Sequence, residues 1–241
     1  MTAGLLLGLT ACGGGSETAT DTATTPADIF DGAAIGCSVT SNGVTATEVG
    51  NGVYTFDAVL IEGSVATAIG CKDSDTQSQL PQFLGVIQSG AVVISPITTL
   101  IVEAAVANDV GAGGQASDLR TGVIRISATE LDAAKARIVT NLGLGDYQLT
   151  DPKTANYIEA AKADPTGTLP AAVAMRISLS ISTPLKSVEV SVGAANASAA
   201  VAASLSVVDL KQSTHSQAVL AKAQTLAAVA VQRVFKTDQR L

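Results

Sequence analysis

The stretch Ala91-Val92-Val93-Ile94-Ser95-Pro96-Ile97-Thr98-Thr99-Leu100 decides the fold, because two periodicities meet in it. Its first four residues form an apolar, mostly β-branched run of the kind that sits inside a sheet. Ser95 then suits a helix N-cap, and Pro96 suits the first helical position, where a missing N–H leaves nothing unsatisfied. The run from Ile97 to Ala107 carries a helix that stops near Gly111-Ala112-Gly113-Gly114.

Upstream of this junction, from about Ile29 to Ile94, the period is that of strands. Ala33, Ile35, Cys37 and Val39 alternate with smaller or polar residues, and Ser41-Asn42-Gly43 signals a turn. Val44, Ala46 and Glu48 lead to a second turn at Gly50-Asn51-Gly52. Val53, Tyr54, Phe56, Val59 and Ile61 are strand-like, Glu62-Gly63-Ser64 breaks them, and Val65 to Ile69 follows. Strands this short, with turn signals every ~8–12 residues, predict a small antiparallel β-sandwich.

Downstream, Ser127-Ala128-Thr129-Glu130 has capping-box spacing, in which serine and glutamate each satisfy the other's orphan amide. Leu131, Ala134, Ile138 and Leu142 then share one helical face, and Gly143 stands at its end. Thr154 to Ala163 and Thr214 to Phe235 read as further helices. The segment 173–192 is ambiguous. Val173, Met175, Ile177, Leu179 and Ile181 alternate as a strand would, as do Val188, Val190 and Val192, whereas the Ala-rich setting favours a helix. We read it as helix, with a hairpin as the alternative. The expected class is α+β, with a β-sandwich over 29–94 followed by an α-helical domain over 95–241.

Composition narrows the functions. Of 241 residues, 47% are hydrophobic, enough for a sizeable core, but only 3% are aromatic, with no Trp, so that core is built of small aliphatic side chains and offers little for stacking sugars or bases. Net charge is −7 and the Lys and Arg residues are scattered singly, which argues against a nucleic-acid partner. No window approaches the ~18 uncharged apolar residues that a membrane-spanning helix needs.

The N-terminus carries a different signal. Gly4-Leu5-Leu6-Leu7-Gly8-Leu9-Thr10-Ala11-Cys12, followed by Gly13-Gly14-Gly15-Ser16, resembles the lipobox of bacterial lipoproteins. In that family the cysteine carries lipid and the preceding signal is removed. The resemblance implies a signal peptide over 1–11, lipidation of Cys12 and a membrane anchor. The apolar core is short and no basic residue precedes it, which is expected of a truncated signal or a start codon placed too far downstream. Residues 12–28, rich in Thr and poor in large apolar side chains, are expected to form a lipidated, disordered spacer. Gly13, in the place where an acidic residue marks inner-membrane retention in some lipoproteins, is compatible with the outer membrane or cell surface. With Cys12 lipidated, Cys37 and Cys71 remain, and an oxidising compartment permits a disulfide between them. Two separately buried thiols are the alternative.

Four landmarks occur together in order: Gly32-Ala33, then Gly70-Cys71-Lys72-Asp73-Ser74-Asp75-Thr76, then Ile94-Ser95-Pro96-Ile97-Thr98-Thr99-Leu100, then Leu142-Gly143-Leu144 with Asp151-Pro152. The set is similar to a module of bacterial surface lipoproteins and repeat adhesins. In that module a transthyretin-like or carboxypeptidase-regulatory-like β-sandwich runs into a Pro-Leu-Thr-Thr-Leu helix. The chain departs from the module at Cys71 and Gln77, where the pattern has Gly, and at Ser38, where some members have an acidic residue.

Chemistry-bearing residues are few. Asp73 and Asp75, with Asp57 nearby in sequence, offer oxygens to a calcium ion, but calcium wants about six to eight, and an Asp-Ser-Asp turn more commonly bonds its own amides. His215 is the lone histidine, and no Gly-x-Ser-x-Gly elbow accompanies it. Gly111-Ala112-Gly113-Gly114 lacks the Lys-Ser/Thr of a phosphate loop and trails a helix instead of leading one. The expectation is a noncatalytic cell-envelope lipoprotein acting in binding, adhesion or structure, with an envelope or surface protein as partner. The alternative is an accessory module or weak hydrolase of the envelope.

Overall fold

The computed structural model describes residues 23–111, 125–142 and 170–192, together with positions 151, 163, 164, 166, 200, 201, 204, 217, 218 and 220–225. The signal, Cys12, most of the expected helix 154–163 and His215 lie outside them. The described chain is α+β, strands first and helices after.

Ten short strands make up the first part: β1 (Thr25–Ile29), β2 (Ala34–Ile35), β3 (Ser38–Ser41), β4 (Val44–Thr45), β5 (Thr47–Gly50), β6 (Val53–Phe56), β7 (Val65–Ile69), β8 (Lys72–Asp73), β9 (Phe83–Val86) and β10 (Val92–Ile94). They form two four-stranded sheets, ordered β10-β1-β6-β5 and β4-β3-β7-β9, and a two-stranded ribbon of β2 and β8. All pairings are antiparallel except β1 with β10, which run parallel with Ala27 opposite Val92 and Ile29 opposite Ile94. Ser41-Asn42-Gly43-Val44 closes a hairpin as expected. Asn42 and Gly43 have φ of 51° and 76°, the signs of the type I′ turn that matches strand twist.

The structure corrects the sequence reading in three places. The first strand starts at Thr25, inside the stretch expected to be spacer. Thr25 is buried and useful there, because its hydroxyl donates to Ala58 O at 2.9 Å and accepts from Leu60 N at 3.0 Å. The alternation from Ala33 to Val39 is broken at Gly36 into β2 and β3. Val59 and Ile61 belong to no strand and are 66% and 44% exposed, so their spacing there reflected chance and not a buried face.

The strand-to-helix junction is held by hydroxyls. Helix α1 (Pro96–Gly111) starts at the expected proline. Ser95 N donates to Thr98 Oγ1 at 2.7 Å and Thr98 N to Ser95 Oγ at 3.2 Å, a reciprocal cap built with threonine where glutamate is usual. Thr98 Oγ1 also reaches Leu84 O at 2.7 Å, and Thr99 Oγ1 accepts from Leu84 N at 2.9 Å. Adjacent threonines thus tie the first turn of α1 to β9.

Helix α2 (Ala128–Asn141) opens with the capping box at Ser127 and Glu130. Leu131, Ala134, Ile138 and Leu142 are all buried against α1 and its surroundings. The ambiguous segment is helix α3 (Pro170–Val192), which keeps Pro184 in its interior. Pro184 is buried and has no N–H to give the carbonyl one turn earlier, so one ladder bond is missing there. A single cluster of buried apolar residues runs from both sheets through α1 and α2 into α3.

Candidate functional site

The ribbon of β2 and β8 is too short to be stable by pairing alone, and its surroundings fix it. Cys37 and Cys71 flank it, their sulfurs at disulfide distance and their Cα atoms 4.1 Å apart. Cys37 N donates to the Tyr54 hydroxyl at 2.9 Å, and that hydroxyl lies 3.4 Å from Ala34 O. Burial pushes the Tyr54 phenol up to about 12, so it stays neutral and keeps its proton for hydrogen bonding.

This ribbon places the β8 turn. Asp73 pairs with Ala34, and Ser74 N donates to Ala33 O at 2.9 Å. Asp73 Oδ1 accepts from Asp75 N at 3.1 Å, Thr76 N at 2.7 Å and Thr76 Oγ1 at 2.8 Å. One oxygen of the expected calcium pair is therefore occupied by its own turn. Asp75 is exposed, with Oδ1 3.4 Å from Ser74 Oγ. Among the described residues no group of three or more His, Cys, Asp or Glu is arranged to hold a metal ion.

Helix α3 closes the site from the other side. Gln82 N donates to Glu189 Oε2 at 3.0 Å, and Lys186 Nζ donates to Leu80 O at 3.3 Å, so the segment after β8 is pinned along the helix. Between α3, the β8 turn and the loop after β1 lies a cleft of about 520 Å³. Asp31, Asp73, Ser78, Ser182, Lys186 and Ser187 are among the residues lining it, over a floor that includes Leu80 and Pro81.

Asp31 is the residue the sequence reading missed. It is 3% exposed. Ser182 Oγ donates to its Oδ2, whereas its Oδ1 has no hydrogen-bond partner among the described residues. Burial raises its carboxyl to about 7. The Ser182 bond opposes that rise, and the nearby Asp73 charge adds to it. Gly32 has φ +85°, and a side chain there would strike Asp73 Oδ2. Glycine thus lets the second carboxylate approach the chain beside the first.

Compared with known proteins, the chain matches no family model, no curated protein and no solved structure.

Proposed function

We propose that this chain is a noncatalytic binding module of the bacterial cell envelope, lipid-anchored through Cys12, with the cleft between the β8 turn and α3 as its binding surface. The observation that carries the reading is the Cys37–Cys71 pair at disulfide distance inside a sheet-rich fold. A structural disulfide persists in exported compartments and is rare in the reducing cytosol. Export in turn gives the lipobox-like run ending at Cys12 its meaning, and Gly13 after that cysteine is compatible with the outer membrane or cell surface as the place of action. The transthyretin-like and adhesin-like landmarks support the same reading. The test is metabolic labelling with an alkyne-tagged fatty acid in cells that express the gene from its native start. Wild type takes up label and Cys12→Ala does not; an unlabelled wild type removes the anchor.

One observation favours the alternative of a weak hydrolase. Ser182 Oγ donates to a carboxyl that titrates near neutrality, and a base of that pKa is suited to moving protons. A Ser182→Ala chain that hydrolyses a fluorogenic ester panel no more slowly than wild type sets this alternative aside.

A further inference from the structure

Asp31 lines the cleft, and its buried Oδ1 has no hydrogen-bond partner among the described residues. Leaving such an acceptor unpaired costs free energy, and ionising it there costs more. The site is therefore built around a missing hydrogen-bond donor, and a positively charged donor is the one that compensates most. Asp73 Oδ2 lies close by against Gly32, so two carboxylates converge at one end of the cleft. Lys186 stands one helical turn beyond Ser182 on the same face of α3, about 6 Å along the cleft, with Ser187 beside it. The cleft therefore carries two carboxylates, an ammonium group that also donates to Leu80 O, and a hydroxyl.

We propose that the cleft binds a small zwitterion, a free α-amino acid or a dipeptide, whose ammonium group supplies the donor that Asp31 Oδ1 lacks and whose carboxylate meets Lys186 and Ser187. The ammonium has three donors, enough to serve Asp31 and Asp73 together. The volume of about 520 Å³ leaves room for a side chain over Leu80 and Pro81. A divalent cation fits less well. Asp73 Oδ1 already accepts three bonds, a hard cation wants six or more oxygens, and Lys186 repels it from within the same cleft. Asp73 from β8 is the charged group that acts on Asp31, and Lys186 from α3 lines the same cleft, so a bound ammonium draws a proton off Asp31 and binding strengthens as pH rises through neutrality.

The proposal rests on the reading of this cleft as the binding surface and not on lipid at Cys12, so an unlabelled Cys12 leaves it standing. The test is titration calorimetry on the detergent-solubilised full chain at pH 8 and pH 6. The probes are glycine, leucine and glycyl-leucine, with ethylamine and acetate as half-ligands and calcium chloride as the competing chemistry. The expected result is binding of a zwitterion that exceeds both half-ligands and is tighter at pH 8. Asp31→Asn should weaken it roughly tenfold or more. Lys186→Met should abolish the preference for the zwitterion over ethylamine; because it also removes the bond to Leu80 O, its folding is checked by circular dichroism and urea unfolding beside wild type. No heat with any amino acid or dipeptide at millimolar concentration overturns the proposal. So does binding of calcium alone, or affinity unchanged in a folded Asp31→Asn or in Lys186→Met.

Discussion

The hydroxyl of Ser182 donates to the carboxyl of Asp31 across 151 positions of sequence, joining the loop after β1 to the middle of α3. This bond ties the sheet-rich part of the chain to its third helix, and it does so through a group whose protonation changes near neutral pH.

A stability profile against pH follows from Asp31. The unfolded chain releases this proton near its ordinary 3.8, while the folded chain holds it up to about 7. Between those values the folded state binds more protons, so rising pH destabilises it. The contribution is full below pH 4, declines from 4 to 7 and is absent above. Its upper bound is roughly 4 kcal/mol. Urea unfolding at pH 5 and pH 8 checks it: wild type should be more stable at pH 5, and Asp31→Asn should remove most of the difference. An equal difference in the variant would place the titrating group elsewhere.

Thr98 carries more than a cap. Thr98→Val keeps shape but removes the acceptor for Ser95 N and the donor to Leu84 O, both buried. The expected loss is about 2–3 kcal/mol, against less than ~0.5 kcal/mol for the same change at exposed Thr45. Thermal unfolding of the two variants side by side decides whether the junction is held by these hydroxyls or by apolar packing alone.

The helices and tight turns were legible because their signals are local. Ser95 with Pro96, Ser127 with Glu130, and Asn42 with Gly43 each state their geometry within four residues. The missed elements lacked such signals. Phe83–Val86 is buried at every position, so β9 shows no alternation to read. Thr25–Ile29 looked like spacer because threonine counts as polar, although β1 buries Thr25 by bonding its hydroxyl. The helical reading of 173–192 held against its period-two pattern because the alternate residues are small enough to be buried as well, as Ser178 and Ser182 are. Asp31 was invisible for a different reason. In Phe30-Asp31-Gly32 it reads as an ordinary turn residue, and the partner that gives it a role lies on a distant helix.

The cysteine pair predicts a thiol count. With lipid on Cys12 and a bond between the close sulfurs of Cys37 and Cys71, denaturation without reductant should expose no free thiol. Opening a link across 34 positions should cost about 3–4 kcal/mol, seen as a lower denaturation midpoint in Cys71→Ala or in reductant. Two titratable thiols in that preparation would mean that the sulfurs sit close without a bond.

Gly32→Ala tests how the two carboxylates come to share one end of the cleft. The backbone there is in the left-handed region at φ +85°, which an alanine adopts only with strain, and its methyl would meet the Asp73 carboxyl. The expected loss is about 1–3 kcal/mol from both sources. They separate in a double-mutant cycle, because Asp73→Ala relieves the collision and leaves the backbone strain. A combined variant more stable than the sum of the two single losses shows that Gly32 is there to admit Asp73. Strict additivity would assign the whole cost to the backbone and leave the approach of Asp73 to the β2–β8 ribbon alone.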